Sequence, residues 1–444
     1  MAIRIPRPNR LAPLAAAALL CCSASASALG LLDAYRAAVQ NDPTFQSAVF
    51  ANQGGQENRI LGRANLLPTV SASYSASRNN TDITTGYATQ HPKYLSRSSN
   101  IGLRQALFSL DAIARYKQGN AQADASQAQL DAARQELIVR LVGAYIEALF
   151  ADDQLALSMA QRNTLAEQVQ VNNRLYKAGE GTRTDELETQ ARLDLAEAKV
   201  LESQDNRKAA MTTLSGIVGQ EVTSLDTLTP NFAVRPADTA SFEQWKQMAL
   251  STNPEIKAQA FGVEVAHQEV NKQRAGHTPR LDFTANYSRG SSDTLNTINQ
   301  DSTVRSIGVQ LTVPLYAGGA VNAATRQAKA GELRAKAELE ATQNKILVDL
   351  RKEYDSTRSS VTRIAALDKA IESAKLLMKA TEQSIKGGVR INLDFLTAQE
   401  QLYTALRDQA QARYTYLVGS LRLHAAAGTL SENDVEEMAR YFRH

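Results

Sequence analysis

A chain of 444 residues with 49 basic and 46 acidic side chains, 6% aromatic residues and two cysteines is neither collagen-like nor a cysteine-rich scaffold. Its length allows about two or three domains, or one large repeated domain. Arg4, Arg7 and Arg10 lie in an acid-free leader that is read below as removed, which brings the basic and acidic counts level and leaves no basic nucleic-acid footprint.

Residues 1–28 read as a bacterial-type secretory signal peptide. The three arginines form its positive start. Leu11 to Cys22 is apolar but only about half the length of a bilayer-spanning helix. Ala26-Ser27-Ala28 supplies small residues for a signal peptidase, so Leu29 is the expected first residue of the mature chain. The short stretch and Pro13 argue against a retained anchor. Leu20 and Cys21, which precede the two cysteines, argue against a lipoprotein. Both cysteines then leave with the signal. No later run approaches 18 apolar residues, so any membrane span has to be a β-barrel.

The rest of the chain is duplicated. Asn41-Asp42-Pro43 recurs as Thr252-Asn253-Pro254, and Pro68 recurs as Pro279. Leu137, Leu141 and Tyr145 recur as Ile346, Leu350 and Tyr354, and Gly179, Asp185, Leu187, Gln190 and Leu193 as Gly388, Asp394, Leu396, Gln399 and Leu402. The expected repeats are 29–219 and 242–428, joined by 220–241 with Pro230 and Pro236 as breakers and followed by 429–444. Each repeat predicts a helical stretch (30–66, then 242–277), two strands, a long helix (111–178, then 320–387) and a further helix (184–215, then 392–426).

The strands alternate with period two. Val70, Ala72, Tyr74 and Ala76 interleave with serines, and Leu281, Phe283, Ala285 and Tyr287 interleave with Asp282, Thr284, Asn286 and Ser288. Ile307, Val309, Leu311, Val313 and Leu315 repeat the pattern, as do Ile101, Leu103 and Leu107, with Gln105 as a blemish. In isolation this pattern also fits a soluble antiparallel sheet with one buried face. The export signal and the long polar loops at 79–97 and 290–303 favour membrane strands. Four strands cannot close a barrel, for which about eight is the practical minimum. Two, three or four copies would have to share one.

The long helical runs extend roughly 100 Å at 1.5 Å per residue. Leu137, Leu141, Ala144, Ala148, Ala151 and Leu155 follow coiled-coil spacing, and so do Ile364, Leu367, Ile371, Ala374 and Met378. The two shorter helices of each repeat sum to a similar length and are expected to stack end to end beside the long one.

These residues resemble the TolC family of bacterial outer-membrane export ducts. The resemblance is carried by Gly276-His277-Thr278-Pro279-Arg280-Leu281-Asp282-Phe283-Thr284, by Val313-Pro314-Leu315-Tyr316-Ala317-Gly318-Gly319-Ala320-Val321-Asn322, and near the C-terminus by Ala412-Arg413-Tyr414-Thr415-Tyr416-Leu417 and Ala427-Gly428-Thr429-Leu430. It covers essentially the whole mature chain. It implies a mixed α/β membrane protein: a homotrimer with a 12-stranded outer-membrane β-barrel, surrounded by outer-membrane lipid and continuous with a periplasmic α-helical coiled-coil barrel. It also implies two partners, a periplasmic adaptor (membrane fusion) protein and an inner-membrane ABC or proton-driven transporter. The function implied is a passive channel for efflux of small molecules or type I secretion of proteins.

The resemblance also assigns tip residues. Asp394 matches one of two aspartates forming the pore constriction, and Thr397 stands where the second would be, so one acidic ring is expected. Arg390 matches a basic residue that holds the closed state by hydrogen bonding toward Thr184. Asp185 matches an acid whose usual tyrosine partner is here Ile385. Gly179 and Gly388 match the turn glycines that adaptors touch. Each assignment has a plainer counterpart: Asp394 and Asp185 suit a helix N-terminus, Arg390 suits a solvated helix end, and the glycines suit chain reversal. Tyr74, Tyr287 and Tyr316 suit an aromatic belt at the membrane interface or simple packing.

Catalytic signatures do not appear, so no enzyme and no cofactor or metal is expected. The histidines are scattered and lack zinc-site spacing, and neither a P-loop nor a nucleophile elbow is present. The competing reading is a soluble periplasmic coiled-coil adaptor with an ordinary sheet.

Overall fold

The computed structural model describes residues 28–229, 232, 240–293, 299–387 and 389–443. The leader up to Ser27, both connector prolines and Gly388 lie outside them. Three helices open the chain: α1 (Leu31–Asn41), α2 (Pro43–Gln56) and α3 (Asn58–Ala64). Strand β1 (Thr69–Asn80) leads through a small hairpin, β2 (Ile83–Thr85) and β3 (Ala88–Gln90), into β4 (Lys93–Phe108). Helix α4 (Leu110–Ala178) and helix α5 (Arg183–Val218) complete the first half. After β5 (Thr227–Leu228) the plan recurs as α6 (Phe242–Thr252), α7 (Pro254–Arg274), β6 (Arg280–Asp293), β7 (Asn299–Thr312), α8 (Ala320–Lys386) and α9 (Asn392–Ala427). A last helix, α10 (Glu432–Ala439), and β8 (Phe442–Arg443) bring the C-terminus back to pair with β5.

The first helical stretch of each half is not continuous, contrary to expectation, because a proline starts a new helix inside it. Asp42 accepts from the backbone N–H of Thr44 at 2.7 Å and Asn253 from that of Glu255 at 2.9 Å, while Pro43 and Pro254 occupy the first helical positions. Proline suits that position because the N–H it lacks would have no partner there. The short helices stack end to end as expected. Asn41 donates to the Val218 carbonyl at 3.0 Å, and Asn253 donates to that of Ala426 at 3.0 Å. Gly219 and Gly428 end α5 and α9 at φ +75° and +74°, where an added Cβ would lie 2.5 Å from Asn41 and 2.3 Å from Asn253. Only glycine fits both the left-handed backbone and the close approach.

The four long strands form one antiparallel sheet in the order β1-β4-β6-β7. One face carries Val70, Leu103, Ala285 and Ile307 in a single row, and the opposite face carries Ser71, Gly102, Asn286 and Ser306 in the adjoining row. Among the described residues nothing covers the apolar face: Val70 is 67% exposed and Ile307 80%. A bulge at Leu107 passes its outward place to Phe108, which pairs with Leu281, while Gln105 keeps an apolar-face position opposite Phe283. Among the described residues β1 and β7 have no strand on their outer edges.

The largest core lies at mid-length of α4. Leu137, Ile138, Leu141, Val142 and Tyr145 are fully or almost fully buried against Leu31 and Ala38 of α1, Leu214 and Val218 of α5, and Leu417 of α9. The C-terminal Val435, Met438 and Phe442 close the same cluster, and Tyr145 donates to the Leu29 carbonyl at 2.8 Å. A second core around Trp245, Ile346 and Leu350 serves the second half, and a third around Leu165, Leu193, Phe395 and Leu396 lies toward the far end of the helices.

Candidate functional site

That far end is built from two helix reversals. In the first, Gly179 takes φ +79° and the N–H groups of Glu180 and Gly181 both donate to the Leu175 carbonyl. An added Cβ at Gly179 would meet nothing within 4 Å, so its backbone angle, not space, calls for glycine. Thr182 then caps α5. Its hydroxyl accepts from Asp185 N at 3.1 Å and donates to the Asp185 carboxylate at 2.5 Å, which also accepts from Thr182 N at 3.4 Å. This reciprocal box occupies Asp185, so its carboxylate serves the helix start within this chain. Ile385, where the expected tyrosine partner is missing, packs into the third core.

The second reversal differs. Gly387 caps α8, and Ile391 stands at the N-cap of α9 with no side chain to accept a bond. Asp394 occupies the position equivalent to Asp185. Among the described residues its carboxylate has neither hydrogen bond nor ion pair. Thr397 turns its hydroxyl back to the Leu393 carbonyl at 2.9 Å. Arg390 and Thr184 are both exposed, and no bond joins them within the described chain. The Arg390–Thr184 link is therefore not an intrachain contact of this structure.

What joins the two helical pairs here is a buried polar network that the sequence reading missed. Thr189 is fully buried, and its hydroxyl accepts from Asn172 Nδ2 at 2.8 Å and Asn392 Nδ2 at 3.0 Å while donating to the Asp185 carbonyl at 2.7 Å. Gln168 Nε2 donates to the side-chain oxygens of Asn172 and Asn392, each at 3.2 Å. The Thr189 hydroxyl thus uses its proton and both lone pairs, as a buried hydroxyl must to avoid a desolvation penalty. Thr164 and Tyr403 hydroxyls meet at 3.2 Å, and Arg192 donates to Glu400 at 2.9 Å, tying α4 and α5 to α9 again. A signal was available: Asn172 falls seven residues after Leu165, on the coiled-coil seam where an apolar residue is expected.

At the other end of the molecule, the polar sheet face is almost uncharged. Serines 71, 73, 75, 96 and 98 dominate it. At its helix-proximal edge the fully buried Asp282 accepts from Arg104 at 2.7 Å and from Arg280 at 3.0 Å. Tyr74 and Tyr287 lie on the apolar face in adjacent rows, and Tyr316 follows β7 at the helix-proximal end, 89% exposed.

The chain matches the family model described as outer membrane efflux protein over residues 34–220 and 245–429. It is 41% identical over 430 residues to the alkaline protease secretion protein AprF of Pseudomonas aeruginosa, with 96% of this chain and 89% of that one covered. To the proteases secretion protein PrtF of Dickeya chrysanthemi it is 36% identical, covering 94% and 92%. Its fold resembles that of the outer membrane protein VceC of Vibrio cholerae, with a TM-score of 0.78 at 19% identity over 90% of this chain and 96% of that one. Relatives that span both halves, together with a sheet face whose apolar Val70 and Ile307 are exposed, remove the reading of a soluble adaptor.

Proposed function

The chain belongs to the outer membrane efflux protein family, and from that premise we propose that it is the exit duct of a type I protein secretion system. It is an outer-membrane channel protein with its helices in the periplasm. The observation that carries the finer reading is the naming of AprF and PrtF as protease secretion proteins, both similar along nearly the whole chain. The duct assembles as a homotrimer. Three sheets, joined β7 to β1, supply 12 strands and leave no edge in lipid, where each unpaired backbone group would cost several kcal/mol. The serine-rich polar face then lines a lumen with little to retain an extended polypeptide.

Its partners are a periplasmic adaptor and an inner-membrane ABC transporter, which supplies the energy. The duct moves its cargo without chemical change. Asp394 forms a single acidic ring at the tip. Arg390 and Thr184 contribute to closure between protomers, and the network on Thr189 closes it within each one. The turns at Gly179 and Gly388 meet the adaptor. Tyr74 and Tyr287 mark one membrane interface and Tyr316 the other. Small-molecule efflux is the second reading, favoured by the family's own description.

Complementation tests this. A strain holding a protease substrate, its ABC transporter and its adaptor, but no outer-membrane component, should regain extracellular protease when this chain is expressed. Restored resistance to small toxic compounds without extracellular protease would favour the second reading. Protease retained inside the cells by a duct correctly assembled in the outer membrane would overturn the first.

A further inference from the structure

The sheet's two faces part company again in its outer half. The apolar face continues away from the helices from Phe108, Leu281 and Leu311 through Val70 and Ile307 to Ile101 and Tyr287. On that same face the rows then turn cationic. Arg305 stands opposite Tyr287, Arg289 opposite Ser99 and Thr303, Arg97 opposite Ala76 and Ser291, Arg78 opposite Leu95, and Lys93 opposite Asn80. All five are exposed. The lumen-facing positions of these rows are serine, asparagine, glycine, valine, Tyr94 and Gln300, without a cation. The charge is therefore confined to the outward surface.

Lipid depth explains where these residues begin. From Leu281 to Tyr287, the row of Arg305, the strand rises about 20 Å, or about 16 Å along the membrane normal at a tilt of about 40°, and Arg289 lies about 5 Å further out. The row of Arg289 is thus close to the height of the apolar band of an outer-membrane barrel. An arginine on the lipid face is costly at the bilayer midplane and almost free near the interface. The first cation, Arg305, also lies over the Tyr287 ring, its guanidinium carbon 5.7 Å from the centroid.

Solvation alone does not account for five cations on one face. Among the described residues none of them makes an ion pair. Asp301, beside Ser291 in the row of Arg97, is the acid whose described side chain shares these rows. Guanidinium groups present forked donors that match phosphate geometry. Clusters of basic side chains at a membrane surface hold anionic headgroups.

We propose that this outward cationic girdle binds the phosphate groups of an anionic outer-leaflet glycolipid, the apolar rows below it receiving the acyl chains. The inference rests on the sheet forming part of the trimeric membrane barrel. Failure of that premise shows as loss of the trimer, whereas failure of the girdle shows as an intact trimer without lipid preference.

The test is native mass spectrometry of the full-length trimer in mild detergent with added bis-phosphorylated lipid A, dephosphorylated lipid A or inorganic phosphate. Retention of the bis-phosphorylated lipid should exceed that of the dephosphorylated one by about tenfold or more, and millimolar inorganic phosphate should not compete it away. The double variant Arg289→Gln, Arg305→Gln should lose most of that preference, and the exposed helix variant Arg334→Gln should keep it. Should the double variant fail to assemble, the comparison of the two lipids on the wild-type trimer still decides. Equal retention of phosphorylated and dephosphorylated lipid, or displacement by inorganic phosphate, overturns the proposal.

Discussion

The two helix reversals at the tip occupy equivalent places in the duplicated chain and use the same acid to different ends. Asp185 and Asp394 each sit three residues after the N-cap, but the N-cap is Thr182 in one and Ile391 in the other. Threonine both caps the helix and takes the carboxylate into a reciprocal box, whereas isoleucine can do neither. One acid is thereby spent on the fold, and the other makes no side-chain bond among the described residues. Equivalence in a repeat does not carry equivalence of role; the residue that decides lies three positions away.

The network on Thr189 joins α4 and α5 to α9 beside both reversals, and breaking it has the largest expected effect. Thr189→Ala leaves the amides of Asn172 and Asn392 without their shared acceptor, at a cost of about 1–3 kcal/mol. With the network in its proposed role in closure, the open fraction should rise by about tenfold or more. Single-channel conductance in planar bilayers, together with cell sensitivity to a large hydrophilic antibiotic, reads it directly. Conductance equal to wild type would mean that the network persists through opening.

Charge removal comes next. Asp394→Asn should shift the reversal potential in a salt gradient toward zero. Asp185→Asn should leave it in place and instead weaken the start of α5 by about 0.5–2 kcal/mol. A loss of cation preference in the Asp185 variant would erase the distinction between the two tips. A finer probe is Ile391→Thr, which supplies the second tip with the first tip's cap. It should engage Asp394 in a capping box and lower cation preference while the charge count stays the same. Undiminished selectivity would show that capping and pore exposure are compatible at Asp394. The smallest effect is expected for Arg390→Ser, which loses no bond within the chain. A modest rise in leak conductance would support its contact across protomers, and none would remove it from the gate.

Much of the fold was legible because it is periodic. Alternation at Val70–Ala76 and Leu281–Tyr287 fixes which face meets lipid, and spacing from Leu137 to Leu155 fixes the seam of α4. The end-to-end stacking followed from helix lengths alone. Breaks within the first helical stretch of each half are legible in Asp42-Pro43 and Asn253-Pro254, where a capping side chain precedes a proline at the first helical position. The same holds for the tip, where Thr182 three residues before Asp185 already spells a capping box. The Thr189 network was harder to see. It assembles Gln168 and Asn172 of α4, Thr189 of α5 and Asn392 of α9, and no local pattern links segments so far apart in the chain.

Closure of the barrel by several copies is the claim on which the duct depends, since β1 and β7 end the sheet unpaired within the described chain. Its direct test is the protein mass in mild detergent, by light scattering with detergent subtraction, on material from the separated outer-membrane fraction. A stable trimer is the predicted result. A monomer that remains folded and soluble without detergent would contradict the account, because four strands alone cannot enclose a channel.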